Sequence, residues 1–232
     1  MAQPTWDSIA DWYAELVTSD SAPQRVALAA MLELLPPLEG LAILDLGCGE
    51  GLAARALAGL GARVTGIDTC ECLLEHSRRQ GPTQIEYLAE DAQTLAGIPD
   101  ARFAGVVANL SLNDIPDLSA VLASVSRVLQ PGGWLGFSIP HPCFEAPRAS
   151  WHEGARLIPG YFDEGFWRSD NPHGVRRVGN YHRTLETCCE TLDRHGLSIR
   201  KMREPRASRE LLAAQPYRAG FPLFLVVVAD AA

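Results

Sequence analysis

Three observations predict an α/β fold built on an open sheet. Residues 41–51 read LAILDLGCGEG, a short apolar run from Leu41 to Leu46 that breaks into Gly47, Gly49 and Gly51. An apolar run of this length closed by glycine has the pattern of a buried strand. A helix-patterned run starts directly afterwards at Leu52, and strand, glycine turn, helix is how an open α/β sheet begins; such sheets take ligands at the carboxyl ends of their strands. Further short apolar runs then alternate with helix-patterned segments along the chain, as strands and crossover helices do. The glycines let the main chain turn with positive φ and let a ligand lie against bare backbone.

Composition narrows the class. The 232 residues, 47% of them hydrophobic, suit a single domain over 1–232 with a substantial core. A net charge of -8 gives no general attraction for phosphate backbones, so nucleic acid is not an expected partner. No stretch approaches the roughly 18 apolar residues of a membrane span, and no basic segment followed by an apolar run opens the chain. A cytoplasmic protein without membrane association is expected, as a monomer or homodimer. The six cysteines lack C-x-x-C spacing and read as free thiols, mostly buried.

The elements follow in order. Trp6, Ile9, Tyr13 and Leu16 recur at spacings of three and four and mark an amphipathic helix over 5–17. A second helix runs from about Ala22 to Leu35, closed by Pro36 and Pro37, so residues 1–37 form an N-terminal helical segment. The first strand is followed by a helix from Leu52 to Leu60 with Gly61 at its end. The second strand, Ala62 to Ile67, ends at Asp68 and leads into a helix over Cys70 to Arg79. Ile85 to Leu88 is the third strand, followed by Glu90, Asp91 and Ala92, and Phe103 to Leu110 is the fourth. Leu118, Leu122, Val125 and Leu129 are spaced for a helix that Pro131, Gly132 and Gly133 would end, and Trp134 to Ile139 is the fifth strand. Thr184 is positioned as N-cap of a helix reaching Arg194, with Glu186 in its first turn. Leu197 to Met202 and Phe221 to Ala229 are the last two strands, the run FLVVV reading as buried on both faces.

The glycine spacing and its charges select the ligand. A dinucleotide fingerprint is G-x-G-x-x-G, and Leu52 stands where that pattern needs its third glycine. Asp45 precedes the turn and Glu50 lies within it; a pyrophosphate wants backbone N–H groups rather than two carboxylates. A cationic ligand tolerates them, and S-adenosylmethionine (SAM) carries a sulfonium and an ammonium against one carboxylate. Asp68 lies about 20 positions past the glycine turn, where an acid in a nucleotide-binding α/β fold bonds the ribose hydroxyls. Its two oxygens can accept both hydroxyl protons; capping the following helix is the structural alternative.

Asp45, Gly47, Gly49 and Gly51 complete the pattern D-x-G-x-G-x-G, which resembles motif I of the class I SAM-dependent methyltransferases. The string VLQPGGWLGFSIP resembles the family's fifth-strand region and extends the likeness over 41–140. The resemblance implies a Rossmann-like seven-stranded sheet, mostly parallel with the last strand antiparallel and helices on both faces. It implies SAM as cofactor, with S-adenosylhomocysteine (SAH) as product. It places Cys48 in the cofactor turn, Thr69 beside the ribose-binding Asp68, and Asp91 and the Ala92 backbone at the adenine. Asn109 and Leu110 would face the methionine part, and Tyr13 would close over the cofactor. Tyr13 in a core stripe and Asp91 as a solvated loop carboxylate remain open alternatives. Where methyltransferases of nucleic-acid and protein amino groups carry D/N-P-P-Y/F, this chain has NLSLND, which departs from them.

Residues 141–183 interrupt the alternation after the fifth strand. Connections there are normally short, and a long segment rich in histidine and aromatics at the ligand edge suggests a substrate lid. HPCF, from His141 to Phe144, and YHRTLETCCETL, from Tyr181 to Leu192, resemble the type-11, ubiquinone/menaquinone-biosynthesis-like branch, which methylates small molecules. The acceptor expected is therefore a small-molecule metabolite or natural product, methylated on oxygen, nitrogen or activated carbon. RNA or protein methylation and a silent SAM- or SAH-binding protein are the rival readings. An oxygen or nitrogen acceptor has a proton to lose, and histidine titrates near neutrality; His141 is the first candidate base and His182 the second, with Tyr181 beside it. Each histidine has the alternative of bonding loop backbone. Cys143 as a nucleophile competes with an inert buried thiol. His141 and Cys143 lack a second pair at ligand spacing, so no metal is expected.

Overall fold

The computed structural model describes residues 3–19 and 22–232. Helix α1 (Trp6–Thr18) opens on a capping box in which Thr5 and Ser8 satisfy each other's backbone N–H. Helix α2 (Pro23–Leu32) opens on a proline, whose missing N–H is no loss in a first turn. There follow β1 (Ala42–Leu46), α3 (Leu52–Gly59), β2 (Arg63–Asp68), α4 (Glu71–Gln80), β3 (Glu86–Ala89), β4 (Phe103–Asn109), α5 (Leu118–Val128) and β5 (Leu129–Pro140). Two antiparallel ribbons come next, β6 (Ser150–His152) with β7 (Ala155–Leu157), and β8 (Gly165–Trp167) with β9 (Asn180–His182). The chain closes with α6 (Leu185–Arg194), β10 (Leu197–Arg203), α7 (Arg209–Ala214) and β11 (Phe224–Ala231).

The sheet has the order β10-β11-β5-β4-β1-β2-β3. Strand β11 runs antiparallel to both neighbours, and the remaining contacts are parallel. This is the Rossmann-like, mostly parallel sheet with an antiparallel last strand. Alternation along β1 shows how both faces are covered, since successive side chains of a strand point to opposite sides. Leu44 and Leu46 join a core layer with Leu122 and Val125 of α5 and Leu192 of α6. Ile43 joins the opposite layer with Met31 of α2 and Leu57 of α3. The strand order reverses between β1 and β4, so a crevice opens there at the carboxyl ends of the strands.

Two expectations change in detail. The PGG triplet does not separate helix from strand: α5 ends at Val128 and β5 begins at Leu129. The pairing with β4 jumps from Phe103–Leu129 to Gly105–Trp134, so Pro131, Gly132 and Gly133 form an irregularity inside the strand, with Gly132 at φ +72°. The second helix stops at Leu32, short of the prolines. Thr184 caps α6 as its position suggested, its hydroxyl accepting from Thr187 N. Among the described residues no helix is long and apolar enough to cross a membrane.

Candidate active site

The glycine turn is fixed by backbone geometry before any ligand is considered. Gly47, Gly49 and Gly51 all have positive φ. A Cβ on Gly47 would meet the Ser111 Cβ at 2.4 Å, so only glycine fits that position. Cys48 N donates to Ile67 O at 2.8 Å, tying the turn to the end of β2. Asp68 closes the clamp: Oδ2 accepts from Gly49 N and Oδ1 from Cys70 N, both at 2.9 Å. It holds the N–H of Cys70, the residue just ahead of α4, and braces the turn at once. Each carboxylate oxygen has a second lone pair, which leaves acceptor capacity for a diol. Burial and the neighbouring Asp7 push Asp68 above the ordinary carboxylate range, against bonds from Cys70, Gly49 and Thr69 N–H.

The two carboxylates of the motif differ. Glu50 is buried but neutralised by Arg55, Nη2 to Oε2 at 2.6 Å, and accepts from Leu52 N. Asp45 is 1% exposed and its Oδ2 has no hydrogen-bond partner. Burial lifts its pKa to about 7, with the Ala54 N–H pulling it down and Glu50 and Asp68 pushing it up. An unpaired buried carboxylate is costly, and a ligand cation is the kind of group that would relieve it.

A cleft of about 230 Å³ lies over the turn. Its floor is Asp45, Gly47, Cys48 and Gly49; Asp68 and Thr69 form one wall, Asp91 and Ala92 the next, and Asn109 and Leu110 the end of β4. Tyr13 of α1 and Gln24 of α2 line it as well. All the residues expected at a cofactor, Gly51 excepted, thus line one cavity; Gly51 starts α3 just behind the turn, its hypothetical Cβ 2.6 Å from the Tyr87 hydroxyl. Asp91 Oδ1 accepts from Gln93 N at 2.9 Å, so this exposed carboxylate shapes its own loop as well. Leu110 has φ +59°, a sparsely populated conformation for a non-glycine residue. It is held by Ser138, whose hydroxyl accepts from Leu110 N at 3.0 Å and donates to Asn109 Oδ1 at 2.8 Å.

A second cavity of about 280 Å³ adjoins the cleft and is walled by the 141–183 segment, including Glu145, Asn171 and Arg176, and by Arg218. Trp6, Tyr13, Gln24, Leu110 and Asp114 border both spaces. Asp114 and Gln24 were not singled out from the sequence. Asp114 ends the string NLSLND, which carried only a departure from other subfamilies; Ser138 sits in an ordinary strand pattern.

The residues expected to act in catalysis do not line these two spaces. His141 is 3% exposed, its Nδ1 accepting from Cys143 N at 3.2 Å and its Nε2 donating to Glu204 Oε1 at 2.7 Å. Both ring nitrogens are therefore occupied, with the proton on Nε2. His182 donates from Nε2 to Tyr161 O at 2.8 Å, and burial holds its pKa below the ordinary histidine value. His182 and Tyr181 line a third, smaller cavity of about 30 Å³, which shares Asn113, Pro140 and Glu145 with the adjoining cavity; neither they nor His141 lines the cleft or the adjoining cavity itself. Burial raises the Cys143 thiol, which disfavours a nucleophilic thiolate. Among the described residues no group of three metal-ligating side chains comes together.

Residues 44–137 match the type-11 methyltransferase-domain family model, which stops before the 141–183 segment. The ubiquinone biosynthesis O-methyltransferase of Leptothrix cholodnii is 36% identical over 105 residues, 44% of this chain. The match spans about half of that relative's length, 45%. Among solved structures, an S-adenosylmethionine dependent methyltransferase from Mesorhizobium loti is 33% identical with a TM-score of 0.77, covering 88% of this chain and 97% of its own. The 1,6-didemethyltoxoflavin-N1-methyltransferase of Burkholderia thailandensis, solved with 1,6-didemethyltoxoflavin and SAH, shares the fold at 20% identity and a TM-score of 0.61, covering 97% of this chain and 87% of its own. With the glycine turn, the strand order and full-length likeness in agreement, the chain belongs to the class I SAM-dependent methyltransferases.

Proposed function

We propose that this protein transfers the methyl group of SAM to a small-molecule acceptor held between the cleft and the adjoining cavity. The observation that carries this reading is the continuity of the two spaces through Trp6, Tyr13, Gln24, Leu110 and Asp114. In this reading the glycine turn and Asp68 hold the adenosyl part, Asp68 at the ribose and Asp91 with the Ala92 backbone at the adenine. Asp45, Asn109 and Leu110 meet the methionine part, where the unpartnered Asp45 oxygen fits an ammonium. Bound SAM would supply an electrophilic methyl on a sulfonium, and transfer is an in-line displacement in which positioning can provide much of the acceleration. The chain's own task is then to align the acceptor and exclude water, with α1, α2 and the 141–183 segment acting as a lid. A net charge of -8 and an acceptor cavity of about 280 Å³ support a metabolite over RNA or protein. The names of similar proteins point the same way, one to ubiquinone biosynthesis and one to 1,6-didemethyltoxoflavin, a small molecule.

Incubation with methyl-labelled SAM and separated low-mass, RNA and protein fractions of a cell extract tests the reading. Label should enter the low-mass fraction. Label in RNA or protein would replace the acceptor class, and no transfer at all, with SAH still bound, would leave a binding protein.

A further inference from the structure

Gln24 is 8% exposed, and its Oε1 has no hydrogen-bond partner, an arrangement that costs free energy unless a ligand donor fills it. Asp114, half-buried at the end of a 3-10 turn (Leu112–Asp114) that follows β4, borders the cleft and the adjoining cavity, as Gln24 does. Asp114 Oδ1 accepts from Asn113 Nδ2 at 2.8 Å, and among the described residues no donor is bonded to Oδ2. Of the two spaces, Asp45, Glu50, Asp68, Glu90 and Asp91 border the cleft alone, and Glu145 borders the adjoining cavity and not the cleft; Asp114 is the one carboxylate among the described residues that borders both. No histidine borders either space. The remaining titratable group at the join, the Tyr13 phenol, has its pKa raised by burial and nearby carboxylates, so it stays protonated and accepts no proton.

We infer that Asp114 is the proton-accepting catalytic residue of methyl transfer, acting on a hydroxyl or amine of the acceptor that Gln24 Oε1 helps to orient. The inference rests on the methyl-transfer reading above. In the step, a lone pair of the acceptor oxygen or nitrogen forms the bond to the methyl carbon while the carbon–sulfur bond breaks, its electron pair staying on sulfur. The acceptor's proton passes to the Asp114 carboxylate, which later releases it to solvent. The charged groups around Asp114 suit this. Burial and Asp68 at the end of β2 raise its pKa well above the ordinary carboxylate value, while Arg176, the Asn113 amide and Arg183 oppose the shift. A raised pKa makes a carboxylate a better base as long as it remains ionised, and a neighbouring sulfonium favours the ionised form.

The test uses the full chain, methyl-labelled SAM and the low-mass extract fraction, with SAH calorimetry as a check that the cleft is intact. Parent transfer should rise with pH as Asp114 ionises and then level off. Asp114→Asn should bind SAH like the parent, transfer about 10²–10⁴-fold more slowly, and lose that pH step. Asp114→Glu keeps a carboxylate and should recover part of the rate with the step displaced; a merely structural role would not move the pH profile, and this variant carries the test if the Asn variant does not fold. Asn activity equal to the parent's with an unchanged profile overturns Asp114 alone. A parent that labels nothing overturns the methyl-transfer reading, and the inference falls with it.

Discussion

Two regions face the same opening and are held by different means. On the glycine-turn side, positions are set by main chain: positive φ at Gly47, Gly49 and Gly51, the Cys48 N–H on β2, and Asp68 bridging the turn to α4. On the 141–183 side they are set by side chains. Glu145 sits under Arg156 and Arg176, Arg177 stacks on Trp12 of α1 at 3.9 Å, and Phe162 is 83% exposed. A wall made of main chain holds one ligand geometry and tolerates little change. A wall made of arginines and aromatics can be altered residue by residue without moving the cleft, so acceptor choice is best sought there.

Substitutions on each side should behave accordingly, and Gly47→Ala should have the largest effect. It places a Cβ 2.4 Å from that of Ser111 at a φ of +68°, so we expect SAH binding to vanish in calorimetry and stability to drop by about 3 kcal/mol or more in urea unfolding. Near-parental behaviour would mean the turn is not main-chain limited.

Asp45→Asn comes second. Losing a hydrogen bond to a charged group costs on the order of 1.5–3 kcal/mol, read as weaker SAM binding. Since Asp45 titrates at about 7, SAM affinity of the parent should fall as pH drops below that value, while the variant stays flat. The same shift sets the stability of the ligand-free fold. The protonated form is favoured, so its contribution is complete below the unfolded pKa of about 3.9 and is lost as pH rises through about 7. At about pH 8 the ligand-free Asn variant should therefore melt above the parent. A lower melting temperature there would show that Asp45 is paired in the free protein.

His141→Ala should act on stability alone. Removing a buried ring bonded through both nitrogens should cost about 2–3 kcal/mol in chemical unfolding, with SAM affinity and the pH profile of label transfer unchanged. A lost pH step would assign the base to the histidine instead. Phe162→Ser should have the smallest effect, within about 0.5 kcal/mol of the parent, because its ring is mostly in solvent; a clear drop in acceptor turnover would instead give it a place at the acceptor.

The same division explains what the sequence disclosed. Asp45, Gly47, Gly49, Gly51 and Asp68 are visible because backbone geometry dictates residue type at fixed spacing. The strands are visible because burial dictates apolar runs. His141 was singled out for its chemistry alone, and the sequence does not show that a tertiary contact with Glu204 and a local one with the Cys143 N–H occupy both ring nitrogens. Asp114 and Gln24 carry no spacing signal: one closes a turn after β4, the other lies on α2, and only the fold brings them together. Pro131, Gly132 and Gly133 read as a helix terminator because local propensity does not reveal that β5 already pairs with β4 at Leu129.

A crystal structure with SAH bound would be the most direct measurement. The expected result has the ribose on Asp68, the adenine beside Asp91 and Ala92, the amino group near Asp45, and the sulfur facing the join bordered by Leu110 and Asp114. SAH outside this cleft, or with its sulfur turned away from that join, would contradict the proposed path of the methyl group.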